Sequence, residues 1–275
     1  INIVLDPCLI FGWGPIPELG VQGAAIATNI ARGLAVLYQF YLLFRGGKRV
    51  QIRREHLKFD FGVMKRLIRL AVGGIGQSLI ATSSWIGMVR IVSVFGSAVL
   101  AGYTIAIRIV IFSILPAWGL SNAAATLVGQ NLGAKKPERA ERAAWQTGGL
   151  NMLLMGGIAV FFIAWPDFFI RLFIQDPAVV VSGALCLRWL GYGFVFYGLG
   201  MVIVHSFNGA GDTATPTFIN LFCFWMLEIP LAYVLALPLG LEETGVYIAI
   251  LAAETTMTVV AVILFRRGRW KTREV

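Results

Sequence analysis

Seven long apolar runs constrain this chain more than any other feature of its sequence. A helix that crosses a bilayer needs about 20 mostly apolar residues, and in hydrocarbon only a helix or a closed barrel satisfies its own backbone. Of the 275 residues, 58% are hydrophobic and 13% are charged, against about 45–50% and about 25% in soluble domains. This composition excludes a soluble enzyme and a disordered chain, and it predicts an all-α polytopic membrane protein. The predicted spans cover residues 20–44, 67–94, 98–130, 143–165, 178–207, 215–239 and 245–265.

A further apolar segment, Ile1–Trp13, precedes these runs and is about seven residues short of a full span. A helix cannot end in mid-bilayer with unpaired backbone groups. We therefore expect the chain to begin inside a helix whose start lies upstream. The sequence predicts one partial and seven complete transmembrane helices, in a fragment of a longer protein.

The basic residues predict the orientation. Eighteen of the 23 lie in three segments, Arg45–Arg69, Lys135–Arg142 and Arg266–Arg273, whereas the connections on the other side are mostly acidic. Because basic residues collect in cytoplasmic loops, these segments and the C-terminus are predicted to be cytoplasmic. The net charge of +9 is thus an orientation signal, and no nucleic-acid partner is expected.

Asp6 is the strongest candidate among the few ionisable residues in apolar runs, which are functional candidates by default. Asn2 lies four residues earlier and projects from the same helix face. Pro7 donates no backbone hydrogen bond, which frees the carbonyl of Ile3 and kinks a helix. Oxygen ligands of this kind suit a hard cation, and a desolvated carboxylate also carries a proton. The alternative role of Asp6 is an ion pair with Arg32.

Glu228 precedes Pro230 in the predicted span 215–239, a setting similar to that of Asp6 before Pro7. It is a candidate second protonation site, and pairing with Arg188 or Arg108 explains it equally well. Glu254 is expected to hydrogen-bond within the helix bundle.

No motif in the sequence supports enzymatic activity. Ser121 lies in Gly119-Leu-Ser-Asn, without the second glycine of a nucleophile turn, and no spacing places His205 beside it. The chain has no Gly-x-x-x-x-Gly-Lys-Ser/Thr loop for ATP and no metal-ligand spacing. We predict no enzyme, no cofactor and no metal beyond a coupling Na⁺ at Asp6, so that any transport is driven by an ion gradient.

Five motifs in order resemble the multidrug and toxic compound extrusion (MATE) family over essentially the whole chain. They are Asn2-Ile-Val-Leu-Asp-Pro7, Gly23-Ala-Ala-Ile-Ala-Thr28, Leu127-Val-Gly-Gln-Asn-Leu-Gly-Ala134, Asn208-Gly-Ala-Gly-Asp-Thr213 and Ile229-Pro-Leu-Ala-Tyr233. The family has twelve helices in two six-helix lobes, and this chain resembles helices five to twelve. The pattern is similar to the bacterial branch that includes the DNA-damage-inducible F proteins.

The resemblance implies export of drugs and organic cations in exchange for Na⁺ or H⁺ by alternating access. It also implies that Asn2, Asp6 and Thr28 contribute to a cation site. Another branch of the family uses a Glu on its seventh helix and an Asp on its tenth. Here residues 75–85 contain no acid, and the tenth helix has none before Asp212, which argues against a site of that type.

The prediction is therefore a multi-pass inner-membrane antiporter with organic cations as substrates and membrane lipid around it. Residues 1–44 would end an N-terminal lobe, 45–66 would form a basic cytoplasmic loop, and 67–275 would form the C-terminal lobe and basic tail. The missing N-terminal helices of the same protein are its expected partner. A flippase for lipid-linked sugars and a fragment without transport activity are the alternatives.

Overall fold

The computed structural model describes residues 1–13, 17–45 and 59–272, with only the backbone of Arg69. Most of the predicted basic loop 45–66 lies outside these residues, as does Arg273. All regular elements of the described residues are helical, which confirms the predicted fold class. The helices are α1 (Asn2–Ile10), α2 (Gly20–Arg45), α3 (Phe61–Val92), α4 (Ser97–Gly133), α5 (Pro137–Ala164), α6 (Pro166–Arg171), α7 (Pro177–Gly209), α8 (Ala214–Asn220), α9 (Ile229–Ala236) and α10 (Glu242–Arg266), with a π-helical segment at Leu221–Glu228 and 3₁₀ turns at Ser93–Phe95 and Arg269–Thr272.

Six helical segments of the described residues are long and apolar enough to cross a membrane. They correspond to the last six predicted spans, and α8, the π-helical segment and α9 form one of them, Ala214–Ala236. The helix α2 has 26 residues but is not among the six, since Gln22, Asn29 and Arg32 lower its hydropathy. The protein is thus a multi-pass membrane protein.

The chain divides into two compact units, Ile1–Met64 and Lys65–Val275. In the first unit α1 packs on α2 at Gly23, where any side chain would collide with the backbone of Leu9. In the second unit α7 is the central helix, with more buried residues than any other described helix. It packs against α4, α5 and α10, whereas large apolar side chains such as Phe112 and Leu153 remain exposed, as expected for surfaces in lipid.

Helix starts in the second unit follow from local sequence. Pro137, Pro166 and Pro177 each occupy the first turn of a helix, where proline loses no hydrogen bond. Asp176 also caps α7, and its Oδ1 accepts a hydrogen bond from the backbone N–H of Ala178 at 2.9 Å. These signals place the connections between α5, α6 and α7.

The basic tail packs against α10 and forms ion pairs with α5 within the second unit. The ring of Trp270 is fully buried and stacks on Phe265 with ring centroids 4.5 Å apart. The Nζ of Lys271 lies 3.0 Å from Glu138 and also pairs with Glu141. Hydrogen bonds to these two carboxylates, that of Glu141 first, raise the pKa of Lys271 above its usual value.

The contact between α4 and α7 depends on glycine. A Cβ at Gly102 would lie 2.7 Å from the backbone nitrogen of Gly183 and 2.8 Å from the carbonyl oxygen of Val179. Small residues permit this close approach, and close packing holds membrane helices together. The backbone of one helix must therefore move if Gly102 gains a side chain.

We expect Gly102→Ala to destabilise the protein by about 1–3 kcal/mol, as overpacking does. Gly119→Ala is the matched control on the same helix, since a Cβ there meets no atom within 4 Å, and it should stabilise by roughly 0.5–1 kcal/mol. Thermal unfolding in detergent measures both effects. Equal Tm values for the two variants would contradict this account of the helix contact.

Candidate functional site

The predicted cation site begins with two oxygens on one turn of α1. The Oδ1 atoms of Asn2 and Asp6 are shielded from solvent, and neither accepts a hydrogen bond from a described residue. Pro7 lies inside the same helix, so that the carbonyl of Ile3 receives no N–H from it. Buried acceptors without a donor cost free energy, and a cation or a proton would remove this cost. No described residue, Arg32 included, forms an ion pair with Asp6.

Thr28, the third predicted ligand, lies on α2 in the same unit and is half-buried. Its Oγ1 donates a hydrogen bond to the carbonyl of Ala24 at 2.9 Å. Both lone pairs of the hydroxyl oxygen therefore remain available as acceptors. The described contacts bring Asn2 and Asp6 onto one helix face but include none between Thr28 and either of them.

Glu228 ends the π-helical segment and is only 8% exposed. Its Oε2 accepts a hydrogen bond from Ser84 Oγ on α3 at 3.2 Å. Among the described residues it pairs with neither Arg188 nor Arg108, and both arginines are exposed. Single π turns inside helices are frequent at functional sites, and here the wide turn ends at the acid.

Glu254, on α10, lines the same cavity as Glu228. No described residue gives its carboxylate a hydrogen bond, so the sequence-based expectation of a bond within the bundle is wrong for that part of the chain. The cavity has a volume of about 350 Å³ and is also lined by Ser84, Tyr103 and Tyr197. Two carboxylates thus line one cavity in the second unit, without a basic side chain in its lining.

A second cavity, of about 360 Å³, adjoins the first and shares five lining residues with it. Gln77 and Asn208 exchange two amide hydrogen bonds at one edge, of 3.1 and 3.2 Å. The Nε1–H of Trp118 donates to His205 Nε2 at 3.0 Å, so that the His205 proton is on Nδ1, 2.8 Å from the carbonyl of Met201. His205 is therefore held by these contacts and is not paired with Ser121.

The sequence indicates Asn2, Asp6 and Glu228 as candidates, and their roles stay predictions, but it does not reveal the cavity that Glu228 shares with Glu254. The signal for Glu254 was present, since it is an acid within an apolar run. Its partner was not visible, because the two acids lie on different helices. In the described residues no group of three or more His, Cys, Asp and Glu side chains could hold a metal ion.

The chain has membrane-length helices and a cavity lined by two acids. These features define its class as that of a multi-pass helical membrane protein. The MatE family model matches residues 74–234. The chain belongs to this family, which confirms the resemblance found in the sequence.

Two similar relatives have names that point to drug resistance. "Probable multidrug resistance protein NorM" of Thermotoga maritima is 26% identical over 275 residues, which is 100% of this chain and 59% of that protein. "Probable multidrug resistance protein YoeA" of Bacillus subtilis is 25% identical over 278 residues, covering 100% and 60%. The chain thus spans about 60% of the length of the relatives it matches. Neither name identifies the branch, so the DNA-damage-inducible F-like assignment stays a prediction.

Solved structures share the fold. A MOP superfamily transporter from Pyrococcus furiosus has a TM-score of 0.89 at 24% identity, covering 98% of this chain and 60% of that one. A structure described as MATE in the straight conformation has the same TM-score and coverage at 23% identity. At these identities the likeness establishes the fold alone.

Proposed function

We propose that the complete protein is a secondary antiporter, and not an enzyme, which exports organic cations in exchange for Na⁺ or H⁺ by alternating access. Membership of the MatE family and the resistance names of the relatives support export of drug-like compounds. The chain would supply the last two helices of the N-terminal lobe (1–44), the basic inter-lobe loop (45–66) and the C-terminal lobe (67–275). The four missing helices of the N-terminal lobe are its partner.

The observation that carries the coupling proposal is the pair of shielded, unpartnered oxygens on Asn2 and Asp6. A pair of unpartnered acceptor oxygens in a membrane favours an incoming positive charge. Asp6 is the proposed coupling residue, and Asn2 and Thr28 supply neutral oxygen ligands for Na⁺ when the ion is Na⁺. Binding of the ion would favour one state of the Pro7-containing helix and release substrate outward.

Glu228 is the proposed second protonation site. Its single described donor, Ser84, and the absence of a basic partner in the described residues support a role in which the carboxylate gains and loses a proton. The protein is proposed to lie in the inner membrane with its C-terminus in the cytoplasm, because the basic segments flank the predicted cytoplasmic helix ends.

The proposal is tested with the full-length protein in proteoliposomes loaded with a fluorescent lipophilic cation. We expect efflux when a pH or Na⁺ gradient is imposed, and no efflux when an ionophore dissipates the gradient or when the protein is omitted. Wild-type protein that exports nothing under either gradient would contradict the proposal and favour a flippase for lipid-linked sugars. The 275-residue chain alone should not transport, since it spans only about 60% of the length of the relatives it matches.

A further inference from the structure

A cavity of about 420 Å³ lies at the tail end of the second unit, between α7, α8 and α10. We call it the boundary cavity, since one part of its lining is apolar and another is charged. Phe218 and Phe222 in the lining are 70% and 50% exposed, so this wall opens to the outside of the second unit, on the membrane-length segment Ala214–Ala236. The other lining residues are Phe207, Asp212, Thr215, Ile219, Val260, Leu264, Arg267, Arg269 and Trp270.

The four described basic residues of the tail divide into two pairs. Lys271 is held by carboxylates of α5, and the guanidinium of Arg266 lies over the Trp145 ring at 5.5 Å. Arg267 and Arg269 are exposed, line the boundary cavity, and form no ion pair with any described residue. Within the described part of the chain, the two guanidinium groups therefore have no carboxylate partner and can bind an anion.

One acid also lines the boundary cavity. Asp212 is 5% exposed, and its carboxylate accepts hydrogen bonds from the Thr215 hydroxyl at 2.7 Å and from the Thr215 backbone N–H at 3.3 Å. The charged lining thus comprises two exposed cations and one buried, hydrogen-bonded anion, and its accessible part is positive.

We propose that the boundary cavity binds an anionic phospholipid. The phosphodiester would bind Arg267 and Arg269, since guanidinium groups match phosphate oxygens in geometry and charge. An acyl chain would lie along Phe218, Phe222 and Val260. Basic pockets between helices at the end of a span bind anionic headgroups in this way, and Arg267 and Arg269 directly follow the end of α10.

Charge distinguishes the boundary cavity from the cavity shared by Glu228 and Glu254. That cavity has two carboxylates and no basic side chain in its lining and suits a cation, whereas the two arginines would repel one. The apolar wall also favours a ligand with an acyl chain over a free anion, because an acyl chain can cover the exposed rings of Phe218 and Phe222.

The test uses full-length protein in detergent, with native mass spectrometry to count bound lipid during titration with phosphatidylglycerol or phosphatidylcholine. We expect the wild type to prefer phosphatidylglycerol. Arg267→Gln/Arg269→Gln should weaken phosphatidylglycerol binding roughly 10- to 30-fold, as each basic residue near an anionic lipid contributes about fivefold. The control Arg139→Gln/Arg142→Gln makes the same charge change on α5, outside the boundary cavity, and should retain the preference.

Three results would overturn the proposal. The first is equal binding of the two lipids by the wild type, and the second is an equal loss of binding in both double variants. The third is displacement of phosphatidylglycerol by millimolar inorganic phosphate, which would mean that the site recognises only the charge of the headgroup. A photoreactive phosphatidylglycerol gives a second measurement that needs no variant. It should label the segment that contains Phe218 and Phe222, and labelling elsewhere would also overturn the proposal.

Discussion

In the full-length protein, Asp6→Asn is expected to lower gradient-driven export of a lipophilic cation by about 5- to 150-fold, the range of a coupling free energy of about 1–3 kcal/mol. The amide has nearly the size of the carboxyl group, so helix packing should be unchanged. However, it can neither carry a proton nor balance the charge of Na⁺. The measurement is efflux from proteoliposomes under an imposed pH or Na⁺ gradient.

Asp167→Asn is the matched control. It makes the same chemical change outside the proposed site, since Asp167 is exposed on α6. It should export at the wild-type rate. Asn2→Ala should reduce Na⁺-driven export more than H⁺-driven export, because an amide oxygen is a Na⁺ ligand but not a proton carrier. Export by Asp6→Asn at the rate of the control would exclude Asp6 as the coupling residue and leave the family membership intact.

Hydropathy predicted the long helices well because the bilayer sets their length. The predicted span 98–130 became Ser97–Gly133, and 178–207 became Pro177–Gly209. The helix α6 was missed, since six residues are too few for a periodic pattern. The π-helical segment was missed as well, because a change from i→i+4 to i→i+5 pairing leaves the apolar composition unchanged.

The sequence does not predict which helices pack against each other. Every span is apolar on most sides, so no single apolar stripe indicates which face of α7 packs on α4. The Gly102–Gly183 contact decides this by backbone shape, between residues of different helices. Glycines are visible in the apolar runs of the sequence, but their contact partners on other helices are not.

In the candidate sites, too, features set by local spacing could be predicted and contacts between helices could not. Asn2 and Asp6 were predictable because a spacing of four places two side chains on one helix face. The bond from Ser84 to Glu228 joins residues 144 apart in the chain, and no local pattern encodes it. A lone acid in an apolar run can thus be recognised, whereas the cavity it faces requires the fold.

Glu228→Gln is expected to reduce H⁺-driven export by about tenfold or more, within the range of a coupling free energy of about 1–3 kcal/mol. Glutamine keeps the side-chain length, and its oxygen can still accept the hydrogen bond of Ser84. Only the ability to bind and release a proton is lost. Export is measured in proteoliposomes with a pH gradient and no Na⁺.

A titratable role and a structural role of Glu228 predict different results for two further variants. Glu228→Asp keeps the carboxyl group but shortens its reach to Ser84, and it should retain more export than Glu228→Gln. Ser84→Ala removes the donor and keeps the acid, and it should change export less than Glu228→Gln does. If Glu228→Asp and Glu228→Gln fail equally while both keep the wild-type Tm, Glu228 positions its neighbours and carries no proton. Glu254, which faces the same cavity, is then the residue to which the same substitutions should be applied.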